Sequence, residues 1–312
     1  MGIRTDLALE AKEIYTESVQ DTGDIDGVKV DVDKTEGVTT TKITITNDNG
    51  ARALSKPIGT YVTIEAPDIK YSTEVYEKAC KLLAKEIKNM TDISADTKTL
   101  VVGLGNKNIT PDALGPDVVS KLMVTNHMRE HMKNFFGDNL TSVCAIAPGV
   151  LGTTGMETAQ IIKGVCQQIH PDLIICVDAL ASRSLDRIST TIQLSDTGIN
   201  PGAGVDNNRE GLNEKTLGVK VIAIGVPTVV DAHTIVSDSI DIAFNDIQEE
   251  IPADWEKNRL IKEALTKNIK KLMVTPKDID SVIEKTSKTV ANGINLALHK
   301  NLTFEDIESF VG

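Results

Sequence analysis

The fold class is decided by the stretch Thr99-Leu100-Val101-Val102-Gly103-Leu104-Gly105, which is almost wholly apolar. A strand that is apolar at successive positions, with no polar alternation, is typical of a parallel sheet buried on both faces. Similar strands are predicted at 142–147, 173–177 and 219–225. We therefore expect a mostly parallel sheet that is covered by helices.

Helices are predicted between these strands, at 72–88, 116–131 and 156–169, and two more, at 256–273 and 278–299, close the chain. Ser72 is expected to cap the first of them, because its side chain can accept a hydrogen bond from the exposed N–H groups of a first turn. Strands that alternate with helices form βαβ crossovers. The predicted fold is α/β, a three-layer α/β/α arrangement.

The first 70 residues differ from the rest. A helix is predicted over 5–20, and 28–64 shows strand alternation, with apolar residues at every second position at Val28, Val30 and Val32 and at Ile43 and Ile45. This pattern predicts antiparallel strands, with Asp48-Asn49-Gly50 as a turn. Segment 182–218 is predicted as a strand with loops at the C-terminal edge of the sheet. We expect three regions: an N-terminal helix in 1–20, a β-rich subdomain in 21–70 and an α/β/α catalytic domain in 71–312.

Composition favours a protein or small-molecule substrate over nucleic acid. The 312 residues include 33 Lys and Arg against 45 Asp and Glu, a net charge of −12, and only 3% are aromatic. A negative surface repels phosphate backbones, and few rings are present to stack on bases. We expect no direct nucleic-acid partner. No membrane partner is expected, because no apolar run approaches the roughly 20 residues that span a bilayer.

The sequence predicts a cytoplasmic protein. The first residues, Met1-Gly2-Ile3-Arg4-Thr5-Asp6, carry charge at once, and no apolar export segment follows them. The cysteines show no C-x-x-C spacing and are predicted to be reduced core residues; they are Cys80, Cys144, Cys166 and Cys176.

Two aspartates follow predicted strands. Asp112 lies in Thr110-Pro111-Asp112-Ala113-Leu114-Gly115-Pro116, and Asp178 comes directly after 173–177. Active sites of parallel sheets lie at the carboxyl ends of the strands. Two carboxyl groups in one cleft can share a proton, so that one acts as general base on a water and the other donates to the scissile carbonyl.

Each aspartate also has a structural interpretation. Asp112 would cap a helix or lie in its first turn, where the helix dipole favours an acidic side chain. Asp178 would form a salt bridge with Arg183 or Arg187, since a buried carboxylate needs a partner.

Three more residues at strand ends are secondary candidates: Asn106, Asp231 and His233. A histidine in that position can hold a carboxylate or ligate a metal.

Common cofactor and nucleophile motifs are absent from the sequence. The third glycine of the dinucleotide fingerprint is replaced by Asn108, and neither a phosphate-binding G-x-x-x-x-G-K-[ST] loop nor a G-x-S-x-G elbow occurs.

Several motifs, taken in order along the chain, resemble the germination protease family of spore-forming bacteria, whose members degrade small acid-soluble spore proteins. They are Ile3-Arg4-Thr5-Asp6-Leu7-Ala8, residues 101–106, residues 110–116, Pro148-Gly149-Val150-Leu151-Gly152-Thr153-Thr154-Gly155, residues 176–183 and Gly225-Val226-Pro227-Thr228-Val229-Val230-Asp231-Ala232. The family is distantly similar to hydrogenase maturation endopeptidases, which share a G-x-G-N strand end and a later V-D-A strand end.

The resemblance implies an atypical aspartic-type endopeptidase on an α/β/α fold, with Asp112 and Asp178 as the catalytic carboxylates. The maturation endopeptidases bind a metal through a histidine, and this sequence has no clear counterpart at the matching position. We therefore predict neither a metal nor another cofactor.

The resemblance also implies an inactive precursor that cuts itself near its N-terminus. Asp6-Leu7-Ala8 fits the family's pattern of an acidic residue, an apolar residue and alanine, so cleavage between Asp6 and Leu7 is predicted, with a pro-segment of about 1–6. This segment would either block the cleft or hold the β region in an inactive arrangement. The resemblance implies a homotetramer in the forespore and spore core. We predict 28–70 as a contact surface, because this β region differs from the rest of the chain.

The leading hypothesis is thus a precursor that becomes an endopeptidase during germination. Two alternatives remain: a metal-dependent peptidase of the maturation type, which would use His233 with Asp178, and a non-catalytic α/β binding protein.

Overall fold

A single mixed sheet of nine strands runs through the part of the chain that the computed structural model describes, which is residues 5–19, 24–131, 140–201, 209–232, 234–236, 239 and 272–311. The strands are β1 (Val28–Thr35), β2 (Val38–Ile45), β3 (Gly59–Glu65), β4 (Lys98–Gly103), β5 (Ser142–Ile146), β6 (Leu173–Ser182), β7 (Thr191–Ser195), β8 (Lys220–Asp231) and β9 (Met273–Val274). Their order is β1-β2-β3-β7-β8-β6-β4-β5, and β9 pairs with β8. The pairings are parallel from β5 through β4 and β6 to β8. They are antiparallel from β1 through β2, β3 and β7 to β8.

Helices precede, connect and follow these strands. They are α1 (Ala8–Val19), α2 (Asp48–Leu54), α3 (Thr73–Met90), α4 (Leu114–Ser120), α5 (Asn126–His131), α6 (Leu151–Thr154), α7 (Thr158–Ile169), α8 (Glu214–Leu217), α9 (Ile279–Leu298) and α10 (Phe304–Val311). The Ser72 hydroxyl accepts a hydrogen bond from the Val75 N–H at 3.2 Å, so the predicted cap of α3 is confirmed.

The parallel strands are buried on both faces. Val101 and Ile175 belong to a core shared with α3, α4 and α9, whereas Leu100 and Ile174 pack with α7 on the opposite side. Side chains alternate between the faces of a strand, so a strand covered on both sides is apolar at successive positions. The predicted α/β fold with α/β/α layers is confirmed.

Several predicted boundaries were wrong. Helix α1 begins at Ala8, and the helix predicted over 116–131 is two helices, α4 and α5. The predicted turn at Asp48-Asn49-Gly50 is the first turn of α2, because the Asn47 side chain accepts hydrogen bonds from the N–H groups of Asn49 and Gly50. The helix predicted over 256–273 lies outside the described residues, except for its last two, and Met273 is in β9.

The segment 182–218 contributes an interior strand. We expected a strand with loops at the C-terminal edge of the sheet, and the strand, β7, lies inside the sheet between β3 and β8 and pairs with both. All five residues of β7 are buried. The sequence did not predict this position, because β7 is short and Tyr61–Glu65 of β3, with which it pairs, is distant in the chain.

The antiparallel strands share the sheet and core of the parallel strands. Strand β3 pairs with β7 from Tyr61 to Glu65, and Val62 and Ile64 pack in the same core as Val101. A separate cluster lies under α1, around Ile43 and Ile45. The division into regions 1–20, 21–70 and 71–312 stays a prediction.

All four cysteines are free thiols, as predicted; three are buried and Cys144 is half-buried. Among the described residues, no helix combines the length and the apolar character that crossing a membrane requires.

Candidate active site

Asp178 lies within a strand, not at its end. Strand β6 was predicted to stop at Val177 but continues to Ser182. The neighbouring β4 pairs with β6 only as far as Gly103, which is opposite Val177. Asp178 is therefore the first residue of β6 beyond the end of β4, at the edge where a parallel sheet presents its functional groups. It is 8% exposed.

The chain leaving β4 brings Asp112 to the same place. Gly105 has φ +112°, and a Cβ there would lie 2.0 Å from the carbonyl oxygen of Asp112, so only glycine fits this turn. A short 3-10 turn, Thr110–Asp112, follows and is tied to β8 by a hydrogen bond from the Thr228 hydroxyl to the Pro111 carbonyl at 2.8 Å.

Asp112 lies in a first turn, that of the 3-10 helix, as one structural interpretation predicted, but the prediction that it caps a helix was wrong. Its carboxylate accepts a hydrogen bond from the Asn106 N–H at 2.8 Å, and helix α4 begins after Ala113 without a side-chain cap. The Asp112 side chain is thus bound across the turn, since the chain folds back from Gly105, and does not cap the following helix.

The ion pair proposed for Asp178 was also wrong. Arg187 pairs with Glu10, Glu13 and Glu65, and Arg183 pairs with Glu17. The Asp178 carboxylate instead accepts the N–H of Ala179 at 2.9 Å. Both arginines face α1, because that helix presents a row of glutamates to the segment that follows β6.

Asp112 and Asp178 line one cleft of about 850 Å³. Burial raises the pKa of Asp178 well above its usual value, and the negative charges of Asp112 and Asp6 raise it further. Burial also raises the pKa of Asp112, but the Asn106 N–H and the positive charge of Arg209 oppose that shift. Like charges in one buried site disfavour the ionisation of both, and the deeper burial of Asp178 favours the protonated form of that residue.

The N-terminal segment enters the same cleft. The Asp6 N–H donates to the Ala181 carbonyl at 3.0 Å, and the Asp6 carboxylate accepts the Ala181 N–H at 2.9 Å. Burial raises the pKa of Asp6, and the Ala181 N–H and Lys56 oppose the shift. Leu7 and Ala8, which follow Asp6, are fully buried at the start of α1.

Two cleft residues that hold this segment were missed by sequence reasoning. Lys56 donates to the Asp6 carbonyl at 2.9 Å, and the Gln193 side-chain amide donates to the same oxygen at 3.1 Å. Lys56 lies in a loop without a motif. Gln193 could have been noticed as a polar residue between Ile192 and Leu194, although that spacing is ordinary in strands.

The secondary candidates lie apart from this cleft or outside the described residues. Asn106 contributes its backbone N–H, and its side chain accepts the Asn108 N–H at 3.0 Å. Asp231 ends β8, is paired with Met273 of β9, and is not among the described residues that line the cleft. His233 lies outside the described residues.

No cluster of three or more His, Cys, Asp and Glu side chains that could hold a metal occurs within the described ranges. Because His233 lies outside them, the expected absence of a metal stays a prediction.

Comparisons with known proteins agree on one family. The family described as germination protease matches residues 8–254 and 250–311. A germination protease of Clostridium tetani is 48% identical, with complete coverage of both chains. Those of Clostridium perfringens strain SM101 and Caldanaerobacter subterraneus subsp. tengcongensis are 47% and 46% identical, and each alignment covers at least 98% of either chain.

Proposed function

The chain belongs to the germination protease family, and on this premise we propose that it is an endopeptidase in which Asp112 and Asp178 together activate water. The observation that supports the proposal is the shared cleft, where burial raises the pKa of both carboxyls and the charge of Asp112 raises that of Asp178 further. Its substrates are small acid-soluble spore proteins, and its place of action is the forespore and spore core.

In the proposed mechanism, the Asp112 carboxylate takes a proton from a water molecule as the water oxygen bonds to the scissile carbonyl carbon. Asp178 gives its proton to the peptide nitrogen as the carbon–nitrogen bond breaks. The products are a new carboxyl group and a new amino group, and a proton passes back from Asp112 to Asp178 through solvent. An acid and a base with separated pKa values give a bell-shaped dependence of kcat/KM on pH.

We also propose that the precursor cuts itself between Asp6 and Leu7. Support comes from Asp6, which lines the cleft and raises the pKa of Asp178 by its charge. Because Asp6 lies in the cleft, we favour a pro-segment that blocks the cleft over one that holds the β region in an inactive arrangement.

A homotetramer completes the proposal, with 28–70 as a contact surface. Strand β1 is at the sheet edge, and most of its residues are exposed, so its main chain is open to pairing with another subunit. The mass of the native protein in solution tests this assembly.

The first experiment compares wild type, Asp112→Asn and Asp178→Asn after incubation with a small acid-soluble spore protein, by intact mass and by analysis of fragments. Wild type should lose residues 1–6 and cut the substrate, and each variant should be slower by roughly 100-fold or more. Asp186→Asn, at an exposed position that does not line the cleft, is the matched control and should cleave like wild type.

Equal cleavage by all four proteins would show that the paired aspartates are not the catalytic groups. Activity that survives exhaustive chelation would argue against the metal-dependent alternative, and activity lost on chelation would favour it, with His233→Ala as the next variant.

A further inference from the structure

The backbone around the Asp6–Leu7 peptide bond is bound on both sides by one side chain. The Nε2 of Gln193 donates to the Asp6 carbonyl at 3.1 Å, and its Oε1 accepts the Ala8 N–H at 2.6 Å. A single amide thus spans the bond, contacting the residue before it and the second residue after it. Gln193 is 9% exposed and lies in β7, so its position is set by the sheet.

Lys56, in the loop after α2, contacts the same segment. Its ammonium donates to the Asp6 carbonyl at 2.9 Å and to the Thr5 carbonyl at 3.4 Å. The Asp6 carbonyl oxygen therefore accepts from two donors, one of them charged. Its carboxylate is held by the Ala181 N–H, and the charge of Lys56 is close enough to oppose the rise in the pKa of Asp6.

Gln193 lies in register with the candidate catalytic strand. It pairs with Gly225 of β8, and Gly225 pairs with Asp178 of β6, so the three residues form a row across adjacent strands. Paired residues present their side chains on the same face of a sheet, and the Leu180 side chain covers Gly225 between them. Gln193, Lys56, Asp6 and the two aspartates line the same cleft.

We infer that Lys56 and Gln193 are substrate-holding residues that position the Asp6–Leu7 bond for cleavage, with Lys56 favouring an acidic residue before that bond. Donors aimed at a carbonyl oxygen stabilise the negative charge that develops there when water attacks the carbon. A fixed register also determines which bond meets the reacting groups. The inference rests on the self-cleavage proposed above and assigns two residues to it beyond the aspartate pair.

The experiment follows self-processing of the full chain by intact mass, which reports both the rate and the bond that is cut. Gln193→Glu keeps an acceptor for the Ala8 N–H but removes the donor to the Asp6 carbonyl, and Gln193→Met removes both. We expect each to slow processing by roughly 100-fold, the effect of removing one such donor in other proteases. Gln193→Met should in addition cut at more than one bond.

Lys56→Met should slow processing to a similar degree, and Lys56→Arg should restore most of the rate because it keeps a charged donor. Asp6→Asn should lower the processing rate more when Lys56 is present than in the Lys56→Met background, because the charges of Asp6 and Lys56 interact. The matched control is Lys78→Met, because the Lys78 ammonium donates to the Glu36 carbonyl outside the cleft. Thermal unfolding of each variant identifies any that fails to fold, and Lys56→Arg and Gln193→Glu are the conservative changes that keep the test decisive.

Three results are distinguishable. Suppose that wild type cuts at Asp6–Leu7, and that Gln193→Glu, Gln193→Met and Lys56→Met cut the same bond within twofold of its rate. The role of Lys56 and Gln193 is then wrong, while the protease proposal stands. If Asp6→Asn has the same effect with and without Lys56, the preference for an acidic residue is wrong. If wild type stays intact, self-processing itself is wrong, and these residues have no bond to position.

Discussion

At the scale of single residues, the cleft brings together acidic side chains that are usually exposed to water. Asp6, Asp112 and Asp178 all line it, and burial raises the pKa of each. Lys56 is the cation that contacts Asp6, and burial lowers its pKa while Asp6 and Glu10 oppose that shift. Buried charge is costly unless it is paired, so holding Asp178 neutral reduces the cost of placing it in β6.

The protonation of Asp178 predicts a pH-dependent effect of Asp178→Asn on stability. Because its native pKa is raised, the stability it contributes is present below its unfolded pKa of about 3.9 and is lost as the pH rises through the native pKa. Asparagine is neutral throughout. The variant should therefore be more stable than wild type at pH 8, and the gain should shrink as the pH falls towards 4, as measured by urea unfolding at each pH.

Asp186→Asn removes one charge at an exposed position and is the control for that change. A difference in stability between Asp178→Asn and wild type that is equal at pH 5 and pH 8 would contradict a protonated native Asp178.

At the scale of elements, α1 is attached to the segment after β6 by a buried carboxylate. Glu10 is fully buried and accepts the N–H groups of Arg183 at 2.7 Å and Ser184 at 3.0 Å, and its carboxylate lies 3.2 Å from Arg187. The Thr5 hydroxyl also donates to Glu10. These contacts hold the residues that follow the proposed cleavage site against the strand that carries Asp178.

Replacing Glu10 should therefore be far more costly than replacing a glutamate further along α1. Glu10→Ala leaves the N–H groups of Arg183 and Ser184 without their acceptor and removes one of the three carboxylates that pair with Arg187, so it should lower the free energy of unfolding by about 3 kcal/mol. Glu17→Ala, which breaks an exposed pair with Arg183, should lower it by less than about 1 kcal/mol. Urea unfolding measures both. Equal losses would show that Glu10 does not anchor the helix.

At the scale of the whole molecule, one sheet connects the antiparallel and parallel parts. The β3–β7 pairing covers five residues of each strand, and Val62 and Ile64 pack in the core that contains Val101 and Ile175. Such a boundary has no exposed linker, and separating the two parts would expose apolar surface on both.

The full chain should therefore unfold in a single cooperative transition in calorimetry, because most of the shared core would be lost together. Two resolved transitions would instead support a separate unit in 21–70. A destabilising substitution in the cluster under α1, such as Ile43→Ala, should then remove only the first transition.

The sequence was most informative where structure depends on residues close together in the chain. The apolar run 99–105 predicted β4 because a strand buried on both faces needs apolar residues at successive positions. Ser72 predicted the start of α3 for a similarly local reason. Boundaries were less predictable: β6 and β8 continue past their apolar runs, since the pairing between them holds the polar residues that follow.

The sequence by itself determined the α/β class, the family, and Asp112 and Asp178 as candidates, because apolar periodicity and short motifs lie along contiguous chain. Only the tertiary structure decided that β7 is an interior strand, that Asp178 lies beyond the end of β4, and that Asp6 docks between Lys56 and Gln193. Those contacts join residues 50 to more than 180 positions apart. No spacing rule predicts them, because they arise when packing of the whole sheet brings distant polar groups into one buried cleft.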